Sequence, residues 1–143
     1  KILNKNFINF NSDKKYDVII IDAPCSAVGT IRKNPEIFFK NKEPDFFNLL
    51  KTQEKMLLKG ANLLKPRGLI IYMVCSFLKI ETYDQVNRFL KKKSNFKLYN
   101  FKFNNQNSEY LKLIKNKCMK TLPTTVLNNN IDGYFAAFLK KNK

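Results

Sequence analysis

Two apolar segments that each end at a cysteine constrain the fold of this chain more than any other feature. Residues 18–21 read Val-Ile-Ile-Ile and are followed at once by Asp-Ala-Pro-Cys, which ends at Cys25. Residues 69–74 form a second apolar segment, which ends at Cys75. Continuous β-branched runs are typical of strands buried on both faces in parallel sheets. Pro24 cannot donate a hydrogen bond within a sheet, so the first strand must end before it.

Helical patterns separate the predicted strands. Apolar residues recur at helical spacing after Pro44, and this pattern stops at Pro66. A second helix is predicted over residues 81–93, and further strands over residues 96–103 and 134–139. The alternation of strands and helices predicts an α/β fold with a doubly wound, parallel sheet.

Two segments have weaker patterns. Residues 1–10 have apolar side chains on one face if the chain is extended, which predicts a short strand there. Residues 104–122 are compatible with a short helix around Tyr110 or with an irregular excursion, and the pattern does not choose between them.

The two strand-end cysteines are predicted to face one crevice. Ligands of doubly wound sheets bind outside the carboxyl ends of the strands, which is where Asp22, Cys25 and Cys75 lie. A thiolate is a strong nucleophile once its pKa is lowered, so this group is a candidate catalytic site. The alternative is that the cysteines are small apolar fillers and that Asp22 is a solvated carboxylate. Cys118 lies outside any motif and is predicted to be a packing residue.

The charge of the chain indicates a polyanionic partner. Lys and Arg number 27 against 11 Asp and Glu, which gives a net charge of +16. Such a charge attracts RNA. The excess of Lys, Asn, Ile and Phe is also what an AT-rich genome produces, so charge alone leaves both explanations open.

Composition also excludes several kinds of site. The chain has no His, which removes the commonest general base, and its three Cys lack the paired spacing of zinc sites or disulfide frameworks. We therefore expect no metal and a reducing, cytoplasmic location. No apolar run of membrane-spanning length and no signal peptide pattern is present, so no membrane partner is expected.

The stretch Asp-Ala-Pro-Cys-Ser-Ala-Val-Gly-Thr-Ile-Arg-Lys-Asn-Pro at residues 22–35, called the signature loop below, resembles that of the Sun/Fmu family of RNA cytosine-5 methyltransferases. Within that family the resemblance is greatest to the bacterial 16S rRNA methyltransferase B group. Further matches follow in the family's order between residues 16 and 140, and they comprise Gln53, the Leu-Lys-Pro-Arg-Gly turn at 64–68, residues 72–76, Glu81, Leu-Pro at 122–123 and Asp-Gly-Tyr-Phe-Ala at 132–136.

The resemblance implies a reaction and a role for each site residue. Cys75 would add as a thiolate to carbon 6 of a cytosine in RNA, with rRNA favoured over tRNA, and Cys25 would assist the elimination that frees the product. Asp22 and Pro24 would border the cofactor, S-adenosyl-L-methionine, and Asp22 would also reach the cytosine edge. The signature loop's basic residues would contact phosphate or, equally, form a solvated face; these are Arg32 and Lys33.

One expected motif is absent. Methyltransferases of this class bind the cofactor with a Gly-rich loop after the first strand, and residues 1–143 contain none. We therefore expect the chain to be the C-terminal part of the catalytic domain, without its first strands and without the partner that would complete it, the N-terminal half. Alone, it would leave one sheet edge uncovered and would neither bind the cofactor well nor catalyse.

Other functions remain as alternatives. A methyltransferase acting on an exocyclic amino group would have Pro-Pro and an aromatic residue after this strand, where Ala23, Pro24 and Cys25 stand. A noncatalytic RNA-binding remnant agrees with the charge and with the missing Gly-rich loop. A thiol redox protein is disfavoured because no two Cys have Cys-x-x-Cys spacing.

Overall fold

The computed structural model of the protein describes residues 2–39, 43–100, 112–126 and 129–143. Short 3₁₀ turns occur at Phe7–Asn9, Val28–Thr30 and Pro35–Phe39. The helices and strands of the described ranges are, in chain order, β1 (Tyr16–Asp22), α1 (Phe46–Leu63), β2 (Leu64–Val74), α2 (Tyr83–Lys92), β3 (Phe96–Leu98), β4 (Ile114–Lys115), β5 (Cys118–Lys120), β6 (Thr124–Val126), β7 (Asn129–Ile131) and β8 (Phe135–Lys141). None of the helices in these ranges has the length and apolar character needed to cross a membrane.

Within the described residues, six strands form one sheet in the order β1-β2-β8-β5-β4, with β3 also paired to β8. The two cysteine-terminated strands, β1 and β2, are parallel neighbours, as predicted. In contrast, β8 is antiparallel to β2, β3 and β5, so the sheet is mixed. No helix of the described chain lies between β5 and β8, and antiparallel strands need no helical crossover to pair.

The apolar core lies on one face of the sheet, under both helices. Alternate residues of β1 and β2 point into it, as Ile21 and Tyr72 do. Gly60 of α1 lies against the tips of Ile21 and Ile70, because an added Cβ would be only 3.0 Å from Ile21 Cδ1. Cys118 is fully buried in this core, which agrees with its predicted packing role.

The other face of β1 is open, contrary to the prediction of a strand buried on both faces. Val18 and Ile20 point away from the helices and are 50% and 64% exposed. The β-branched run is apolar on both sides, but the described elements cover only one side. β1 also ends the order of paired strands, so its outer edge has no partner within the described ranges, as expected for a sheet without its first strands.

One local prediction was wrong, and one that the sequence left open is answered in part. The predicted strand in residues 1–10 contains instead a 3₁₀ turn, because the Asn6 side chain accepts a hydrogen bond from the Ile8 amide (2.9 Å) and caps it. Phe7 and Phe10 then pack against the core. Of the possible helix in residues 104–122, residues 104–111, including Tyr110, lie outside the described residues, and the part from Ile114 onward forms the β4–β5 hairpin.

A contact between two glycines holds the signature loop against the C-terminal segment. The Gly29 amide donates to the Cys75 carbonyl (3.0 Å), and the Gly133 amide donates to the Gly29 carbonyl (2.7 Å). A Cβ at position 29 would lie 1.9 Å from the Gly133 carbonyl oxygen. Glycine is therefore required here by close approach of backbone to backbone.

We expect Gly29→Ala to lower the free energy of unfolding by about 1–3 kcal/mol, the usual cost of overpacking, because the atom it meets is backbone and cannot rotate away. Urea unfolding of the chain measures this. Gly60→Ala is the matched control, since the nearest atoms to its Cβ are ends of isoleucine side chains, and it should change stability far less. Equal stability of Gly29→Ala and the unaltered chain would contradict the packing described.

Candidate active site

The two thiols at the strand ends meet. Cys25 follows β1 in the signature loop, and Cys75 comes directly after β2. Because β1 and β2 are parallel neighbours, with Asp22 opposite Met73, their carboxyl ends lie side by side. The Sγ atoms of Cys25 and Cys75 are 3.1 Å apart and share a hydrogen bond, and both residues are half-buried. The predicted convergence of the two cysteines is confirmed.

The surroundings of Cys25 keep its thiol protonated. Burial raises the pKa of Cys25 to about 12, and the hydrogen bond with Cys75 and the nearby Glu81 charge act in the same direction. At neutral pH Cys25 is therefore a thiol, and its S–H can donate to Cys75 Sγ. Cys25 Sγ therefore holds a proton, and Cys75 Sγ is positioned to accept a hydrogen bond from it.

Asp22 is the last residue of β1, and Pro24 follows it in the signature loop. Asp22 is exposed, and no hydrogen bond or ion pair with another described residue engages its carboxylate. The Ala23 amide between them donates to the Met73 carbonyl (3.0 Å), which continues the pairing of β1 with β2. The carbonyl of Pro24 accepts from Gln53 Nε2 (2.9 Å). Asp22 is thus available for a ligand, whereas the backbone of Pro24 is held by the side chain of Gln53.

A cavity of about 450 Å³ opens beside Cys25, between the signature loop and the start of α1. Its lining includes Pro24, Cys25 and Ser26, and apolar and polar residues of the following segment contribute the rest. Neither Asp22 nor Cys75 lines it, so it is a separate opening on the α1 side of the thiol pair.

A buried polar network lies beneath the cysteines. Glu81 and Gln53 are fully buried, and both contact the backbone next to Cys25. Tyr72, also fully buried, donates from its hydroxyl toward the Glu81 carbonyl (2.9 Å) and Gln53 Oε1 (3.1 Å). Sequence reasoning noted Gln53 and Glu81 as family matches without a role. A signal was present, because Gln53 is a polar residue between Leu50 and Leu57 on the apolar face of α1.

Arg32 and Lys33 bind a carboxylate of the C-terminal segment. Arg32 Nη2 lies 3.2 Å from Asp132 Oδ1, and Lys33 Nζ lies 2.8 Å from Asp132 Oδ2. The Lys33 hydrogen bond and the two positive charges hold the pKa of the buried Asp132 carboxyl below its usual range, although burial opposes them. Neither of the two interpretations of these basic residues included this partner. Their contact with phosphate stays a prediction.

Tyr134 is a site residue that sequence reasoning included only as part of the C-terminal pattern. Burial raises the pKa of its hydroxyl, and the nearby Cys75, Asp132 and Asp22 raise it further. The Thr121 hydroxyl accepts from the Tyr134 amide (2.7 Å). Tyr134 is 38% exposed, and its hydroxyl is close enough to Cys75, Asp132 and Asp22 for their charges to act on it.

The chain matches one protein family over nearly its whole length and resembles curated members of it. Residues 3–140 match the model of the family described as 16S rRNA methyltransferase RsmB/F. The chain is 33% identical over 129 residues to ribosomal RNA small subunit methyltransferase B of Photorhabdus laumondii, which is 90% of this chain and 27% of that protein. The chain thus spans about a quarter of that relative's length.

Solved structures share the fold. The crystal structure of PH0851 superimposes with a TM-score of 0.71 at 30% identity and covers 87% of this chain and 26% of that one. The crystal structure of NSun6 from Pyrococcus horikoshii, determined with SFG, has a TM-score of 0.75 at 21% identity and covers 100% of this chain and 35% of that one. These neighbours have the Rossmann-like methyltransferase fold, and the α/β prediction is confirmed.

Mild oxidation of the chain is expected to join Cys25 to Cys75. The two sulfurs must approach by only about 1 Å to reach the bond length of a disulfide. Treatment with diamide followed by peptide mass spectrometry should give this one intramolecular link, reversible by dithiothreitol, while buried Cys118 stays free. A link that instead joins Cys118 to either thiol would contradict the geometry.

Asp132→Asn should reduce stability in a pH-dependent manner. Because the pKa of Asp132 is lowered in the folded state, its contribution is present above the unfolded pKa of about 4 and is lost as the pH falls through the folded pKa. Urea midpoints of both chains should differ at pH 7 and converge toward pH 2–3. Asp17→Asn, which removes a carboxylate from an exposed pair with Lys65, is the matched control and should show a smaller difference. A constant gap between Asp132→Asn and the unaltered chain would argue against the pairing.

Proposed function

The chain belongs to the RsmB/F family of 16S rRNA methyltransferases, and on that premise we propose that the protein methylates carbon 5 of a cytosine in RNA, with Cys75 as the nucleophile. The single observation that carries the proposal is the pair of thiols 3.1 Å apart at the ends of two adjacent parallel strands. One thiol alone at a strand end is commonly a packing residue. Two that share a hydrogen bond in an accessible site are suited to covalent chemistry.

Carbon 5 of cytosine is a poor nucleophile, and addition of Cys75 to the ring makes this carbon more nucleophilic. The Cys75 thiolate forms a bond to carbon 6, and the electrons of the 5,6 double bond become available at carbon 5 as an enamine. S-adenosyl-L-methionine, when bound, supplies an electrophilic methyl group. A hydrogen-bond donor at ring nitrogen 3 stabilises the adduct, and Asp22 is proposed to border this edge of the cytosine. The target base must leave its stack to reach Cys75.

Cys25 acts in the step that frees the product. A base removes the proton from carbon 5, the 5,6 double bond forms again, and the bond between carbon 6 and Cys75 breaks. The departing sulfur carries negative charge, and the Cys25 S–H is positioned to donate to it across 3.1 Å. The raised pKa of Cys25 supports this role, because the proton is still on Cys25 when it is needed.

Asp22 and Pro24 are proposed to border the cofactor. The Asp22 carboxylate is exposed at the carboxyl end of β1 and is unengaged by the described residues, which is where ligands of such sheets bind. NSun6 was determined with SFG, an S-adenosylmethionine analogue. Residues 1–143 contain no Gly-rich loop, and we propose that the remaining contacts with the cofactor come from other parts of the catalytic domain.

We propose that the catalytic domain is completed by an N-terminal half, which makes this chain its C-terminal part. No described strand pairs with the outer edge of β1, and Val18 and Ile20 are exposed; both features support this proposal, because another strand and helix would cover them. The relatives' greater length agrees.

The substrate is proposed to be rRNA rather than tRNA, as the names of the relatives suggest. The charge of +16 favours RNA in either case. Lys33 is 62% and Arg32 is 34% exposed at the side chain, so both can contact phosphate while Asp132 holds them. A cytoplasmic location is consistent with an RNA substrate and with the three free cysteines.

The test is covalent trapping in the complete protein. The protein is incubated with unmodified substrate RNA and S-adenosylmethionine, and denaturing gels reveal protein–RNA adduct. Cys25→Ala should accumulate adduct, and Cys75→Ala should form none. Cys118→Ala, whose thiol lies in the core, should behave as the unaltered protein, and residues 1–143 alone should form none.

Two other results would contradict the proposed roles of the cysteines. If neither the unaltered protein nor Cys25→Ala forms adduct although RNA binds, the protein is the noncatalytic RNA-binding alternative. If Cys25→Ala forms no adduct and Cys75→Ala does, the roles of the two cysteines are reversed.

A further inference from the structure

Cys25 is held from both sides by buried side chains. The Pro24 carbonyl before it accepts from Gln53 Nε2 (2.9 Å), and the Ser26 amide after it donates to Glu81 Oε1 (2.9 Å). The Ser26 hydroxyl donates to the other carboxylate oxygen, Oε2, at 2.6 Å. The peptide groups on either side of one thiol are thus fixed by two fully buried side chains.

The two holding residues also hold each other. Gln53 comes from the middle of α1, Glu81 from the turn before α2, and Gln53 Nε2 lies 3.3 Å from Glu81 Oε1. Both are fully buried. In the described chain, no buried side-chain oxygen or nitrogen lacks a hydrogen-bond partner. The network is therefore complete, and a complete polar network in a core fixes one arrangement.

A role in packing alone would not require these residues. Taking a carboxylate out of water costs several kcal/mol before its partners offset the cost, and apolar side chains of similar volume often fill such a space at least as well. No cation lies within salt-bridge distance of Glu81 among the described residues, so its donors are the Ser26 amide, the Ser26 hydroxyl and Gln53. The contacts of Glu81 and Gln53 instead give the signature loop a defined position at Cys25.

Cys75 is held mainly by β2 and by backbone contacts that do not involve Glu81 or Gln53, and one 3.5 Å contact between the Ser26 and Ser76 hydroxyls links the two segments. Cys75 follows β2 directly, its carbonyl accepts from the Gly29 amide (3.0 Å), and the next residue, Ser76, accepts at its hydroxyl from the Leu78 amide (3.2 Å). Loss of Glu81 or Gln53 therefore displaces Cys25 more than Cys75. The two thiols can be uncoupled by changing residues outside the site.

We propose that Glu81 and Gln53 are positioning residues that hold the Cys25 thiol against Cys75 for release of the product. The proposal rests on the proposed function, in which Cys75 attacks and Cys25 assists elimination. It separates two steps: adduct formation depends on Cys75, whereas adduct decay also depends on the Glu81–Gln53 network.

The experiment follows adduct formation and decay in a single turnover of the complete protein, on denaturing gels. Glu81→Ala and Gln53→Ala should slow decay by on the order of ten- to a hundredfold, the effect of moving a reacting group by about 1 Å, and should leave formation nearly unchanged. Glu81→Gln keeps an acceptor for the Ser26 amide and should recover most of the decay rate. Glu81→Gln as slow as Glu81→Ala would overturn a positional role.

Thr82→Val is the matched control. Thr82 is as buried as Glu81 and adjacent to it, but among the described residues its hydroxyl donates only to carbonyls of its own turn, chiefly that of Leu78 (2.9 Å). It should release product as the unaltered protein does. Thermal unfolding checks that each variant is folded, and if Glu81→Ala is not, Gln53→Ala and Glu81→Gln decide.

The failure of this inference is distinguishable from failure of the proposed function. If Cys25→Ala accumulates adduct but folded Gln53→Ala and Glu81→Ala release product normally, only the positioning role is wrong. If formation and decay slow equally in these variants, the network is a structural element without a specific role for Cys25. If Cys25→Ala itself accumulates no adduct, the proposed function fails and the positioning role fails with it.

Discussion

The parallel pairing of β1 with β2 is the constraint on which the rest of the site depends. Because their residues pair from Val18 opposite Leu69 to Asp22 opposite Met73, both strands end at the same level of the sheet. The chain then leaves each strand at the same edge, and the two cysteines come within hydrogen-bonding distance. Further contacts then fix the position of each cysteine. The Glu81–Gln53 network fixes one thiol, and the Gly29 amide fixes the backbone of the other.

Arg32 and Lys33, the basic residues of the signature loop, stabilise the fold in addition to any contact that they make with a ligand. With a net charge of +16, the chain has few carboxylates to distribute. One of them, Asp132, is buried where Arg32 and Lys33 both reach it. A partly shielded pair of this kind counts for more than exposed surface pairs, which contribute little. The loop and the C-terminal segment are thereby joined by charge as well as by the contact of Gly29 with Gly133.

The fold class and the meeting of Cys25 with Cys75 could be predicted from sequence, because strand periodicity is local and the strand-end rule is general. The pairing of Asp132 with Arg32 and Lys33 could not be predicted, and neither could the contacts of Glu81 with Ser26. Arg32 and Asp132 are 100 residues apart, and Ser26 and Glu81 are 55 apart, so no local pattern connects them. The β-branched run of β1 was interpreted as doubly buried because it is apolar on both sides, although described residues cover only one. The strand predicted near the start failed because the Asn6 side chain caps a turn there.

The contact of Gly29 with Gly133 has a consequence for the order of folding. β1, α1 and β2 are consecutive in the chain and can associate through short-range contacts, but the signature loop is closed by a residue about a hundred positions later. Closing so long a loop costs entropy before any contact repays it, so such contacts form late. We therefore expect β1, α1 and β2 to associate before the site is complete, because the signature loop is closed only when β8 and the segment before it have docked.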